Sequence, residues 1–125
     1  MPHATILYAE DNQLLCLMIT EMLEDEGYSV ETCADGNIAL NRIAGCVGYE
    51  LLLLDNDLPG ASGLELARYA RRLSCYKRTP IILLSADEHA DAARRAGADA
   101  FLRKPEDVSR LVETIRALLD ARRGV

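Results

Sequence analysis

The chain has 125 residues, 50% of them hydrophobic and 27% charged, with a formal net charge of -6. That length points to one domain with a real core, and the acidic balance argues against direct binding to a nucleic-acid backbone. The longest apolar runs are too short to span a membrane, and Met1-Pro2-His3-Ala4-Thr5 leads straight into a strand without a signal peptide.

Thr5-Ile6-Leu7-Tyr8-Ala9 reads as a short apolar strand ending at the acids Glu10-Asp11. Asn12 can cap the helix that follows, in which Leu15, Met18, Ile19, Met22 and Leu23 recur at helical spacing until Gly27 ends it. Leu14 and Leu17 fall towards the opposite side, an apolar presence on a solvent face that hints at a docking surface. Ser29-Val30-Glu31-Thr32-Cys33 alternates as a strand does. Asp35-Gly36 reads as a turn, and Asn37 to Ala44 as a short helix with Ala39, Leu40 and Ile43 inward.

Four consecutive leucines, Leu51 to Leu54, follow with polar residues on both sides, as in a central strand buried on both faces. This strand ends abruptly at Asp55, and Pro59-Gly60 turns the chain away. Ser62 can cap a third helix with Leu66, Ala67, Ala70 and Leu73 inward and Arg68, Arg71 and Arg72 in water. Ile81-Ile82-Leu83-Leu84 is another buried strand, ending at Ser85. The helix expected from about Asp87 to Ala96 has only alanines to bury and should be weakly anchored. Ala100-Phe101-Leu102 ends at Lys104-Pro105, and Val108, Leu111, Val112, Ile115, Leu118 and Leu119 define a last helix.

Strand and helix alternate five times, which predicts a parallel α/β sheet with helices on both faces. The strand ends then share one edge, where ligands bind in such sheets, and that edge collects Glu10-Asp11, Asp55, Ser85 and Lys104. Each of these residues has an ordinary alternative: a helix cap for the acids and Ser85, a solvated loop residue for Lys104. Their alignment at one edge favours chemistry. Three neighbouring carboxylates suit Mg²⁺, and Lys104 can pair with Asp55 or with an incoming phosphoryl group. The combination fits phosphoryl transfer to a carboxylate. Cys16, Cys33, Cys46 and Cys75 show neither a redox pair nor a zinc spacing, so reduced thiols packed as small hydrophobes are expected. His3 and His89 are assigned no catalytic role.

Tyr8-Ala9-Glu10-Asp11-Asn12, Asp55 through Gly63, Ser85-Ala86, Ala96-Gly97-Ala98-Asp99 and Phe101-Leu102-Arg103-Lys104-Pro105, in this order, resemble the receiver domain of bacterial two-component response regulators. The resemblance covers nearly the whole chain. It implies one receiver domain over residues 1–125 with a flavodoxin-like (CheY-like), doubly wound five-stranded parallel sheet of order 2-1-3-4-5 and five helices. It implies a cytoplasmic, phosphorylation-dependent switch: Asp55 as phosphoacceptor, with Mg²⁺ held by Asp11, Asp55, the backbone carbonyl of Asp57 and, mainly through water, Glu10. Lys104 would contact the phosphoryl group, Ser85 would move to hydrogen-bond it, Phe101 would turn inward, and the bond to Pro105 would be cis. Such a domain is not a conventional enzyme, although it catalyses its own phosphorylation and dephosphorylation.

The implied donor is a phosphohistidine on a sensor histidine kinase or a histidine phosphotransfer protein, with Leu14, Leu17 and Met18 as docking residues. Helical spacing can also place Met18 in the core. An output domain or downstream target, and a weak or phosphorylation-dependent homodimer, are further implied associations; nucleic acid and membrane are not. Asp57 and Asp87 are expected to modulate the site. Ser85 replaces the commoner threonine, and Glu106-Asp107 after Pro105 departs from one large DNA-binding subfamily and weakens the case for its typical dimer. Two rivals are a haloacid-dehalogenase-type phosphatase using Asp55 and Asp57, and a degenerate receiver serving only as an interaction module.

Overall fold

The computed structural model describes residues 4–124, which leaves His3 outside the described residues. The elements run β1 (Thr5–Ala9), α1 (Gln13–Asp25), β2 (Ser29–Cys33), α2 (Gly36–Ala44), β3 (Leu51–Asp55), α3 (Gly63–Arg72), β4 (Ile81–Ser85), α4 (Ala90–Arg95), β5 (Ala100–Arg103) and α5 (Leu111–Arg122). The strands form one sheet of order β2-β1-β3-β4-β5, with every neighbouring pair parallel. Fold class and strand order are those expected. Among the described residues no helix is long and apolar enough to cross a membrane.

β3 takes the centre because every one of its side chains can be buried, and every one is. Side chains alternate across a strand. Leu52 and Leu54 therefore join the core under α2, α3 and α4, whereas Leu51 and Leu53 join the core under α1 and α5. Crossovers in parallel sheets return each strand in the same direction, so the carboxyl ends of all the strands lie along one edge.

Helix starts follow the expected chemistry. Asn12 Oδ1 accepts the Leu15 N–H at 3.0 Å, and Ser62 and Glu65 form a reciprocal capping box at the head of α3. Asp35 proves to be the cap of α2, its side chain accepting from Asn37 and Ile38, so that helix begins one residue earlier than the turn reading implied. Gly63 lets α3 start hard against the central strand: a Cβ there would lie 2.7 Å from the Asp55 carbonyl oxygen. Gly36 does the same for α2, where a Cβ would overlap the backbone of Ala61. The heads of α2 and α3 are thus seated on the loop that follows Asp55.

Four expectations need correction. α4 is shorter than expected, Ala90–Arg95, because its small alanines bury little: only Ala93 within the helix is buried. Met18 is 57% exposed, so the pattern on α1 narrows to Ile19 and Leu23, with Leu15 and Met22 half-buried. Arg71 does not stand in water. Its guanidinium donates to the carbonyls of Gly97, Tyr76 and Thr79 at 2.9, 2.8 and 2.7 Å and pairs with Asp99 at 2.7 Å. Asp99 also accepts the Ile81 N–H at 2.8 Å, so one arginine ties the end of α3 to the starts of β4 and β5.

The fourth correction concerns the thiols. Cys46 and Cys75 are joined in a disulfide with a Cα–Cα distance of 6.0 Å, while Cys16 and Cys33 are free. Nothing in the local sequence brings the two together. The fold does, by placing the turn after α2 beside the 3₁₀ turn Ser74–Tyr76 that follows α3. Closing a loop of 29 residues' separation removes unfolded-chain entropy worth on the order of 3–4 kcal/mol. Reduction, or the double variant Cys46→Ser/Cys75→Ser, is therefore expected to lower the melting temperature by roughly 10 °C, with native circular dichroism retained below the transition. Calorimetry with and without reductant measures this, and an unchanged transition would show that the bond contributes nothing to stability.

Candidate functional site

The site is built from the ends of β1, β3 and β5, the last reaching in across the end of β4. Glu10 leaves β1 with its N–H on the Cys33 carbonyl at 2.9 Å, which fixes its backbone between β1 and β2. Asp55 is the last residue of β3, opposite Leu84 of β4, and is fully buried. Lys104 follows β5, its N–H on the Ser85 carbonyl at 2.9 Å. It precedes Pro105 through a cis peptide bond, as expected.

These placements make the side chains converge. Lys104 Nζ lies 3.0 Å from Asp55 Oδ1 and 3.4 Å from Glu10 Oε1. Carboxylate oxygens of Glu10, Asp11 and Asp55 lie within 4.8 Å of one another. Asp55 Oδ1 also accepts the Asp57 N–H at 3.3 Å, whereas its Oδ2 is buried without a hydrogen-bond partner. Three converging carboxylates, one of which carries an unpaired oxygen, suit a divalent cation that keeps part of its water shell. One lysine stands against three acids here, and Asp11 is exposed on the rim.

Electrostatics follow from that imbalance. Burial, then the charge of Asp55, pushes the Glu10 carboxyl up from 4.5 to about 7. Burial works against the Lys104 ammonium, but its hydrogen bond to Asp55 and the charges of Asp55 and Glu10 outweigh it and raise its pKa above the ordinary lysine value. The Tyr8 phenol, pushed up by burial and by Glu10, keeps its proton.

The remaining expected residues sit around this cluster at different distances. Ser85 is buried at the end of β4, where its Oγ accepts the Asp87 N–H at 3.2 Å. Asp57 is exposed on the loop after β3, joined to Asp55 through its backbone N–H. Asp87 points outward, its side chain 73% exposed and 3.9 Å from His89. Phe101 is half-buried away from the acids, packed against the α4 side of the core, where it lines a groove of about 200 Å³ with Ala90, Ala93 and Ala98. On α1, Leu14, Leu17 and Met18 form one exposed apolar stripe, at 69%, 57% and 57% exposure. Leu17 also lines a groove of about 420 Å³ that runs to Glu10 between α1 and the end of β2.

Two further residues at the site have roles that the sequence motifs do not spell out. Asn56 Oδ1 accepts the Leu64 N–H at 3.0 Å and holds the loop after Asp55 to the head of α3. Tyr8 sends its hydroxyl to Glu10 Oε1 at 3.3 Å. The period of two along β1 already put Tyr8 and Glu10 on one face.

Residues 6–116 match the model of the response regulator receiver domain. The chain belongs to that family. This receiver is 37% identical over 129 residues to the alkaline phosphatase synthesis transcriptional regulatory protein SphR of Synechococcus elongatus, a match covering 94% of the chain and 49% of that protein. It therefore spans about half the length of such curated relatives. A CheY-like response regulator receiver domain protein from Methanospirillum hungatei superposes with a TM-score of 0.89 at 29% identity, covering 98% of both chains. TrrA of Thermotoga maritima, solved in complex with Mg²⁺-BeF, gives a TM-score of 0.81 at 33% identity over 92% of this chain and 98% of that one.

The raised Glu10 pKa has a measurable cost. The folded receiver binds this proton more tightly than the unfolded chain, so stability falls as pH rises from the ordinary carboxylate value to about 7 and is level beyond it. Glu10→Gln cannot ionise. Without metal, its stability relative to the wild type should therefore improve between pH 5 and pH 8, by on the order of 2 kcal/mol. Denaturant unfolding in a chelator measures the difference, and a pH-independent difference would show that the cost does not reside at Glu10.

Proposed function

We propose that this receiver accepts a phosphoryl group on Asp55 from a phosphohistidine donor and uses it as a switch, residues 1–125 forming one domain. The observation that carries the reading is the Asp55 carboxyl: fully buried at the central strand end, one oxygen tied to Lys104 and the other without a partner. A carboxylate oxygen forms the new bond to phosphorus while the donor's nitrogen–phosphorus bond breaks and the imidazole keeps the electron pair. Lys104 stands where it can neutralise charge on the transferred group.

Glu10, Asp11 and Asp55, with the backbone carbonyl of Asp57, would hold Mg²⁺; the ion would draw charge from the phosphoryl oxygens and help align them. Support comes from the converging oxygens here and from the Mg²⁺-BeF complex of TrrA. The acyl phosphate adds nearly two negative charges at the strand end. Ser85 would then give up the Asp87 N–H to reach it, Phe101 would turn inward, and lightly held α4 would follow. Asp57 and Asp87, exposed on the loops after β3 and β4, would modulate how long the mark lasts.

In this reading the chain acts in the cytoplasm and takes its phosphoryl group from a sensor histidine kinase or a phosphotransfer protein. It signals to an output domain or a separate target, without binding nucleic acid or membrane itself, and any homodimer is weak or phosphorylation-dependent. The phosphatase alternative is disfavoured because the Asp-x-Asp pair closes the central third strand, with the other acids on the first, and Asp57 turns its side chain to solvent.

Incubation with a small phosphodonor and Mg²⁺ should give an acid-labile label on the wild type and none on Asp55→Asn. In the same experiment Asp57→Asn should slow loss of label after donor removal, because a carboxylate at that position can order the attacking water. Undiminished labelling of Asp55→Asn, or turnover of many phosphoesters, would overturn the reading. The exposed stripe on α1 is proposed as the donor's docking surface. Leu17→Ala should slow transfer from the cognate protein donor by roughly fivefold and leave labelling by the small donor unchanged; equal slowing with both would point to damaged folding instead.

A further inference from the structure

We propose that Tyr8 is a positioning residue for this site: its hydroxyl holds the Glu10 carboxylate in the orientation that a bound divalent cation requires. The inference rests on the cation-assisted reading of Asp55 and names a residue outside the acid set on which that reading is built.

The ring of Tyr8 is fully buried in the core under α1 and α5, with its backbone paired to Thr32 on one side and Leu53 on the other. It cannot swing. A buried phenol O–H needs a partner, and the one it has is Glu10 Oε1 at 3.3 Å. Glu10 is otherwise held by the Asn12 N–H on Oε2 at 3.2 Å and by Lys104, 3.4 and 3.5 Å from its two oxygens.

Of these three holders Lys104 is the one with a competing commitment, because it lies closer to Asp55, at 3.0 Å. Once Lys104 turns to a phosphoryl group, Glu10 retains only the hydroxyl from below and the backbone N–H from the side. Both donors sit on rigid frame, one in a strand and the other at the head of a helix. Together they fix the plane of the carboxylate, in the manner of partners that orient metal ligands without touching the metal.

Tyr8→Phe keeps the ring and its packing and removes only the donor. Isothermal titration calorimetry of the full chain with Mg²⁺ should show about fivefold weaker binding, the effect of one ordinary hydrogen bond. Labelling by a small phosphodonor at subsaturating Mg²⁺ should slow by a similar factor and recover when Mg²⁺ is raised. In a Glu10→Ala background the same substitution should change Mg²⁺ affinity by less than twofold, because the hydroxyl then has no carboxylate to hold. Equal Mg²⁺ affinity of Tyr8→Phe and wild type, with the wild type labelled on Asp55, would overturn this proposal alone. An undiminished loss in the Glu10→Ala background would overturn it too, as a packing effect. A wild type that neither binds Mg²⁺ nor is labelled would overturn both this proposal and the reading beneath it.

Discussion

The ion pair between Asp55 and Lys104 is the contact on which the arrangement of the site depends. A fully buried carboxylate at the centre of a sheet is costly unless a charge and hydrogen bonds answer it. Lys104 answers at 3.0 Å, and it does so from the far edge of the sheet, reaching across the end of β4. The pair therefore requires β5 to be in register with β4 and β4 with β3. Sheet order and site chemistry enforce each other: a slip of one residue in β5 would point the lysine at the wrong face.

That pair does not balance the site. Glu10 and Asp11 bring two further acids to the same few ångströms, and Glu10 is as deeply buried as the core around it. The protein tolerates this by leaving Glu10 poorly ionised and by surrounding it with donors from Tyr8, Asn12 and Lys104. Such a cluster, with more acids than cations, is prepared for added positive charge. The preparation is visible in the unpaired Asp55 Oδ2, a buried oxygen that a closed structural ion pair would not leave idle.

Much of this was legible in the sequence. Leu51 to Asp55 announces a strand buried on both faces that ends in a charge, and alternation of strand and helix then gathers Glu10, Asp11, Ser85 and Lys104 at its end. These signals are local, a few residues each, and topology multiplies them. What was not legible depends on distant partners. Arg71 resembles its solvated neighbours Arg68 and Arg72 until Gly97 and Asp99 are seen to lie within its reach. Cys46 and Cys75 carry no local pattern, so their bond follows only from the neighbouring turns after α2 and α3. Met18 satisfies the helical period yet lies outside the narrow face that the sheet covers. Tyr8 was legible as a core residue but not as a donor, because alternation gives the face of a side chain and not the reach of its hydroxyl.

The Arg71 clamp has a mechanical consequence for α4. It grips the carbonyl of Gly97 and the side chain of Asp99, immediately after the carboxyl end of that helix, while the exposed segment before its amino end is held by the Asp87 N–H on Ser85 Oγ and by the exposed Glu88–Arg103 ion pair at 2.8 Å. The two ends of α4 are thus held unequally, by a half-buried arginine clamp at one and by an exposed ion pair at the other. In the proposed switch, a displacement begun at Ser85 would therefore meet less resistance at the amino end of α4 than at Gly97. Unequal anchoring of that kind would favour a tilt of the helix over a slide. Ala93 of α4 and Phe101 of β5 line one groove from its two sides, so such a tilt would change the groove's width.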